Sequence, residues 1–202
     1  MTNSCVDSDC VDFATIIKNE IFFEIKDPAY EEDAFAGSNK LLTSRIQNKN
    51  EQFLVLGIDG GERLLEFRPL TVEELKSASC RFLIRPFRNT NPSSEFPITL
   101  QILSEGKTWT LWCLDEGGSK VVYPNLQDPP DKIESTKHEA LFFLMKIKGH
   151  RDWYRVASSM WPSFFLSFEC KPQKLVKLVL KEKKNDDESL NLKVRDIQRC
   201  SQ

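Results

Sequence analysis

The segment Tyr30-Glu31-Glu32-Asp33-Ala34 carries the most pointed chemistry in the sequence. An Asp directly before a small residue is what an aspartate-directed protease requires. A basic pocket holds the carboxylate by charge-assisted hydrogen bonds, and a small side chain must follow the scissile bond. Tyr30 suits the roomy, aromatic-tolerant pocket that inflammatory caspases present upstream of the cut, and Glu31 suits their acid preference at the next position. Pro28 on one side and Gly37-Ser38 on the other give the segment the composition of an exposed linker, which proteolysis needs. The plain alternative is an acidic linker that merely contains an Asp, and granzyme-type proteases share the Asp requirement. A second Asp-x-x-Asp, Asp128-Pro129-Pro130-Asp131, is followed by Lys132, which disfavours cleavage there.

The same place is where the charge changes sign. The chain has 202 residues with 28 Lys+Arg and 30 Asp+Glu, a net charge of −2. Residues 1–33 hold two bases, Lys18 and Lys26, against nine acids, a net of −7. Residues 34–202 hold 26 bases against 21 acids, a net of +5. Such asymmetry separates a tail from a body with different work to do. The expected division is an acidic propeptide over 1–33 and a folded domain over 34–202. The near-neutral total argues against a general nucleic-acid partner, which needs a basic footprint.

Other reactive residues are sparse. The two His, His138 and His150, and six scattered Cys offer no metal-ligand spacing, so neither a metal nor a cofactor is expected. Cys80, Cys113 and Cys170 lie within or beside apolar stretches and read as small core residues. Cys113 with His138, or a Ser with His150, would need a third orienting group to act as a catalyst. There is no Gly-x-Ser-x-Gly and no Gly-rich phosphate loop, so an enzyme is not expected. The N-terminus is acidic and polar rather than a basic, then apolar, secretory signal. The longest apolar run, Ala140–Met145, is far short of the roughly 18 residues of a membrane span. The expected site of synthesis is the cytoplasm.

The elements that must position these residues read as short strands. Twelve are expected in the body: 41–47, 52–57, 64–67, 81–87, 98–103, 109–114, 120–123, 141–146, 153–158, 164–168, 175–181 and 191–194. Asp59-Gly60-Gly61, Glu105-Gly106, Glu116-Gly117-Gly118 and Lys148-Gly149 supply turns between them. The mixed pattern over Leu175–Lys181 suggests burial on both faces of that strand. Two helical stretches are plausible: Leu70–Ser79, where Thr71 and Glu74 have capping-box spacing, and Asp131–His138 after Pro129-Pro130. Phe13–Ile17 and Ile21–Ile25 read as a hairpin that packs on or pairs with the body. Twelve strands with turns between them fill a closed barrel with hairpin caps, an all-β fold of trefoil or Greek-key type, although no threefold sequence repeat is visible.

Specific residues sharpen this pattern. Ser158-Ser159-Met160-Trp161-Pro162-Ser163-Phe164-Phe165-Leu166-Ser167 resembles a signature of the interleukin-1 cytokine family: a Ser, a short loop, then an aromatic-Phe-Leu strand. Leu175–Lys181 followed by Asp187-Glu188-Ser189, Pro129–Ile133 followed by Phe142-Phe143, and Asp9–Phe13 are similar to the same family. The likeness runs from about Cys10 to Val194. It implies a β-trefoil cytokine, monomeric, made as an inactive precursor and exported without a signal peptide. It also implies inflammatory signalling through NF-kappa-B and induction of interferon-gamma, and it places Asp33 at the family's processing position.

The resemblance further implies partners: an immunoglobulin-like receptor alpha chain, an accessory chain, an inflammatory caspase and a soluble decoy binding protein. Asn50-Glu51-Gln52 matches a family Asn-acid-Gln, which makes Glu51 and Gln52 candidates for the primary receptor; the neighbouring family Arg falls on Gln47. Arg88 keeps a basic charge before the Asn89–Pro92 turn. Lys120 and Glu139 match charged positions of the accessory-receptor patch, and Lys174 stands where the family has an acid. A lectin or heparin-binding trefoil is the rival reading, with thin basic patches at Arg45–Lys49 and Lys181–Lys184.

Overall fold

A computed structural model describes residues 10–17, 20–26, 35–37, 41–87, 95–133, 135–171, 175–184 and 187–196. The N-terminal part holds β1 (Cys10–Ile17), β2 (Glu20–Lys26) and β3 (Phe35–Ala36). The first third of the body holds β4 (Leu42–Gln47), β5 (Phe53–Asp59), β6 (Glu62–Arg68) and β7 (Phe82–Pro86). The second third holds β8 (Glu95–Ser104), β9 (Lys107–Glu116), β10 (Ser119–Asn125), the short β11 (Lys132–Ile133) and β12 (Phe142–Lys146). The last third holds β13 (Trp153–Ser158), β14 (Phe164–Cys170), β15 (Val176–Glu182) and β16 (Leu192–Asp196).

Pairing closes six of these strands into a ring. β4 pairs with β7, β7 with β8, β8 with β12, β12 with β13, β13 with β16 and β16 with β4. Six further strands of the body form three hairpins, β5–β6, β9–β10 and β14–β15, while the short β11 pairs with β3. Each third of the body thus gives its first and last strand to the barrel and its middle hairpin to a cap. This is a β-trefoil, and the twelve strands expected from the sequence are its twelve. The threefold symmetry is one of backbone pairing, which needs alternating burial and turns rather than repeated residues.

Alternation explains which side chains enter the core. Along β7, Phe82 and Ile84 are buried while Leu83 and Arg85 are half-covered. The Gly pairs at two cap hairpins have positive φ, 57° and 90° at Gly60-Gly61 and 59° and 92° at Gly117-Gly118, the mirror-image turn that matches strand twist. The core gathers Ile46, Leu54, Phe82, Leu100, Leu111, Phe142 and Leu166, all almost fully excluded from solvent. Phe67 and Phe168 meet edge to face at 5.9 Å beneath the caps.

Four expectations are corrected. The stretch 70–79 is not a helix but two 3-10 turns, Glu74–Lys76 and Ala78–Cys80. The capping box does form, with the Thr71 N–H donating to Glu74 Oε2 at 2.8 Å and the Glu74 N–H to Thr71 Oγ1 at 3.3 Å. The helix stops because Ser77 is extended and its hydroxyl takes the Ser79 N–H at 3.2 Å, competing with the helical bond. Asp131–His138 is likewise not helical: Lys132-Ile133 pairs with Phe35-Ala36, and Ile133 is buried beside Phe87 and Leu141. Tertiary packing of a β-branched residue outweighs a short helical propensity there. β15 buries one face only, Val176, Leu178 and Leu180, leaving Lys177 and Val179 half-covered and Lys181 exposed. Cys170, expected in the core, is exposed at the end of β14, whereas Cys80 and Cys113 are buried as anticipated.

The expected N-terminal hairpin is present as β1 paired with β2, Val11 opposite Ile25 and Ile16 opposite Ile21, with an irregularity between Phe13 and Thr15. Among the described residues these strands pair with each other and with no strand of the barrel.

Candidate functional site

Two surfaces carry the residues singled out by sequence. The first is the β4–β5 turn. Asn48 is buried at its base, and its side chain ties the turn together. Oδ1 accepts the N–H groups of Asn50 and Gln52, each at 3.0 Å, and Nδ2 donates to Gln52 Oε1 at 2.8 Å. The Asn48 N–H also donates to the Gln52 carbonyl at 3.0 Å. This folds Glu51 outward, exposed, with φ of 61°, a left-handed conformation uncommon for a residue with a side chain. Gln52, half-buried, is a strut of the turn as much as a surface group. Gln47, where the resemblance places an Arg, is buried and donates from Nε2 to the Glu51 carbonyl at 3.4 Å. It supports the turn from inside and offers no surface charge. Lys49 on the same turn pairs with Glu188 at 3.2 Å.

The second surface brings Lys120 and Glu139 into one frame. Lys120 on β10 stands opposite Asp115 on β9 and forms an ion pair with it. Its ammonium also lies 4.8 Å from the centre of the Trp161 ring. The Lys120 hydrogen bond, together with the Gly118 N–H at 2.7 Å, holds the Asp115 carboxyl below its usual range. Glu139 lies in the turn before β12, where its carbonyl accepts the Cys113 N–H from β9 at 2.9 Å. His138 beside it stacks edge to face on Trp112 at 5.4 Å and accepts the Ala140 N–H at Nδ1 at 3.1 Å. The Ser159 hydroxyl donates to the His138 carbonyl at 2.7 Å and accepts the His138 N–H at 3.0 Å. The loop carrying Trp161 is thereby fastened to the turn carrying Glu139. The Lys120 side chain and the Glu139 backbone are thereby both tied to β9 and to one pair of loops.

Arg88, Lys174 and the whole junction Tyr30, Glu31, Glu32, Asp33 and Ala34 lie outside the described residues. The sequence reading missed Asn48 and Trp161. The first has a visible signal in hindsight, an Asx side chain before a polar turn. The second stood inside the signature that carried the resemblance.

Catalysis at Cys113 is disfavoured. Burial pushes the Cys113 thiol up to about 12, which disfavours a nucleophilic thiolate. Among the described residues no three His, Cys, Asp or Glu are grouped to hold a metal. No helix among them is long and apolar enough to cross a membrane.

Comparison with known proteins gives a consistent answer. The family model described as Interleukin-1 / 18 matches residues 70–191. Interleukin-18 of Homo sapiens is 30% identical over 181 residues, spanning 88% of this chain and 89% of that protein. Interleukin-18 of Capra hircus is 26% identical over 195 residues, spanning 95% and 96%. The crystal structure of chicken interleukin-1β aligns with a TM-score of 0.60 at 16% identity, covering 80% of this chain and 99% of that one, a likeness of fold. These relatives are interleukins and not enzymes.

Proposed function

Because the chain belongs to the interleukin-1/interleukin-18 family, we propose that it is a proinflammatory cytokine resembling interleukin-18, made as a latent precursor and activated by cleavage after Asp33. The product, residues 34–202, then joins a receptor alpha chain and an accessory chain, both immunoglobulin-like, and drives NF-kappa-B and interferon-gamma-inducing signalling. Glu51 and Gln52 face the receptor alpha chain, Lys120 and Glu139 face the accessory chain, and Arg88 and Lys174 belong to the receptor-binding surface. A soluble decoy competes for the same surfaces. The precursor resides in the cytoplasm and the product leaves by a route that needs no signal peptide.

The observation that carries the latency reading is where the pairing changes hands. β2 ends at Lys26 within a hairpin that pairs only with itself among the described residues, and pairing with the body resumes at Phe35, opposite Ile133. Asp33 falls between them, two residues before the first strand anchored to the trefoil. A cut there separates the −7 segment and leaves Phe35 and Ala36 on the body. The −7 segment, tethered to a +5 body, is suited to shield receptor-facing charge until it is released.

The test is to treat the full chain with an inflammatory caspase and measure binding to the paired receptor chains before and after. One cut after Asp33, a rise in isoelectric point and a gain of binding are expected, all abolished by Asp33→Ala. Equal binding before and after the cut overturns the latency. Arg88→Glu in the processed protein is expected to weaken binding without changing the fold, and unchanged binding removes Arg88 from the interface.

A further inference from the structure

A cleft of about 550 Å³ opens between the cap hairpins β9–β10 and β14–β15. Its charged lining is Lys120, Lys171, Lys177 and Lys181, with Glu169 the one carboxylate among the lining residues. Phe164 and Phe168 give it an apolar floor. Sequence order scatters these lysines over more than sixty residues; the trefoil caps bring them together.

Their arrangement favours a repeated anion over a single one. Lys177 and Lys181 share one face of β15 and are four residues apart, about 13 Å along a strand. Lys171 lies beyond the end of β14 and pairs with Glu169 at 2.6 Å. Hydrogen bonding and charge from Lys171, with weaker fields from Lys181 and Lys177, hold the Glu169 carboxyl below its usual range, as a positive surrounding does. Lys181 also pairs with Asp187 at 2.6 Å. Lys177 has no ion pair among the described residues.

We propose that this cleft binds a sulfated polysaccharide chain, with the lysines meeting successive sulfates and the sugar rings lying over Phe164. Lysine suits this ligand: it is a compact, rotatable point charge that tolerates variable sulfate positions, where Arg would demand a fixed bidentate geometry. A single-stranded nucleic acid would need successive aromatic platforms for its bases, and the cleft offers one, Phe164, since Phe168 is only 9% exposed. The attraction is of the counterion-release type and falls steeply with salt.

Heparin-affinity chromatography of the full chain across a salt gradient tests this. The double variant Lys171→Gln/Lys177→Gln is expected to bind roughly tenfold more weakly at physiological salt, with a shallower salt dependence. Glu169→Gln removes the competing carboxylate and is expected to elute at higher salt, a gain that misfolding does not produce. Lys107→Gln/Lys148→Gln, an equal charge change away from the cleft, is expected to leave elution unchanged. Equal weakening by this control pair, or no gain in Glu169→Gln, overturns the site. Equal retention on an immobilised DNA oligonucleotide of matched charge overturns the assignment to a polysaccharide.

Discussion

The Asn48 side chain accepts the Gln52 N–H at 3.0 Å and donates to the Gln52 side chain at 2.8 Å, so one buried amide holds both sides of the turn that presents Glu51. Removing it leaves the N–H groups of Asn50 and Gln52 without their acceptor. Asn48→Ala should destabilise the protein by about 2–3 kcal/mol, the scale of a buried amide losing several bonds, read as a lower urea midpoint at unchanged slope.

Glu51 separates fold from binding at the same turn. Its φ of 61° is one that glycine adopts freely. Glu51→Gly should therefore leave the melting temperature unchanged or raise it, while weakening the proposed receptor contact. A variant that loses stability and keeps its affinity contradicts both parts.

Lys120 is expected to couple energetically to Trp161. A cation over an indole ring contributes about 0.5–2 kcal/mol depending on desolvation. A double-mutant cycle with Lys120→Gln and Trp161→Leu, followed by chemical denaturation, should return a coupling in that range. Additive single effects show that the 4.8 Å approach carries no energy.

Acid should loosen the turn before β16. Hydrogen bonds from Lys181 and then Ser189 lower the Asp187 carboxyl to about 2. A carboxyl depressed in the folded state stabilises it above the unfolded value near 3.8, and that contribution is lost as pH falls toward about 2. Asp187→Asn should flatten the stability-pH curve between about pH 4 and 2. In the parent, the Ser189 amide resonance, whose N–H donates to Asp187 at 2.9 Å, should titrate through that window.

The barrel core is intolerant of truncation. Phe142 is fully buried on β12 between Ile98 of β8 and Ser158 of β13. Phe142→Ala should cost about 3–5 kcal/mol through lost burial and the cavity left behind, measured by denaturant unfolding.

The strands were legible because burial alternates along them and glycine turns punctuate them; Phe82 and Ile84 on β7 and Gly117-Gly118 after β9 are examples. What the sequence hid depends on distant partners. Ile133 becomes a strand residue only because Phe35 pairs with it from almost a hundred positions earlier. Ser77 ends a helix through its own hydroxyl, an effect that capping-box spacing does not reveal. The Gln47 departure became intelligible only as an interior strut, and the lysine cleft only once two caps were set side by side. Lys120 and Glu139 were found by resemblance, but the loop that unites them, through Ser159 and His138, has no local signature.

The pairing of β4 with β16 has a kinetic consequence. Ile46 stands opposite Val194, so the barrel joins its first strand to its last across almost 150 residues. Closing such a long loop is an early entropic cost and places the fold among slow, non-local folders. During synthesis β4 waits with one edge unpaired until Asp196 has been added, exposing an aggregation-prone strand edge to the cell throughout translation of the body. The ring can close only after β16 has left the ribosome.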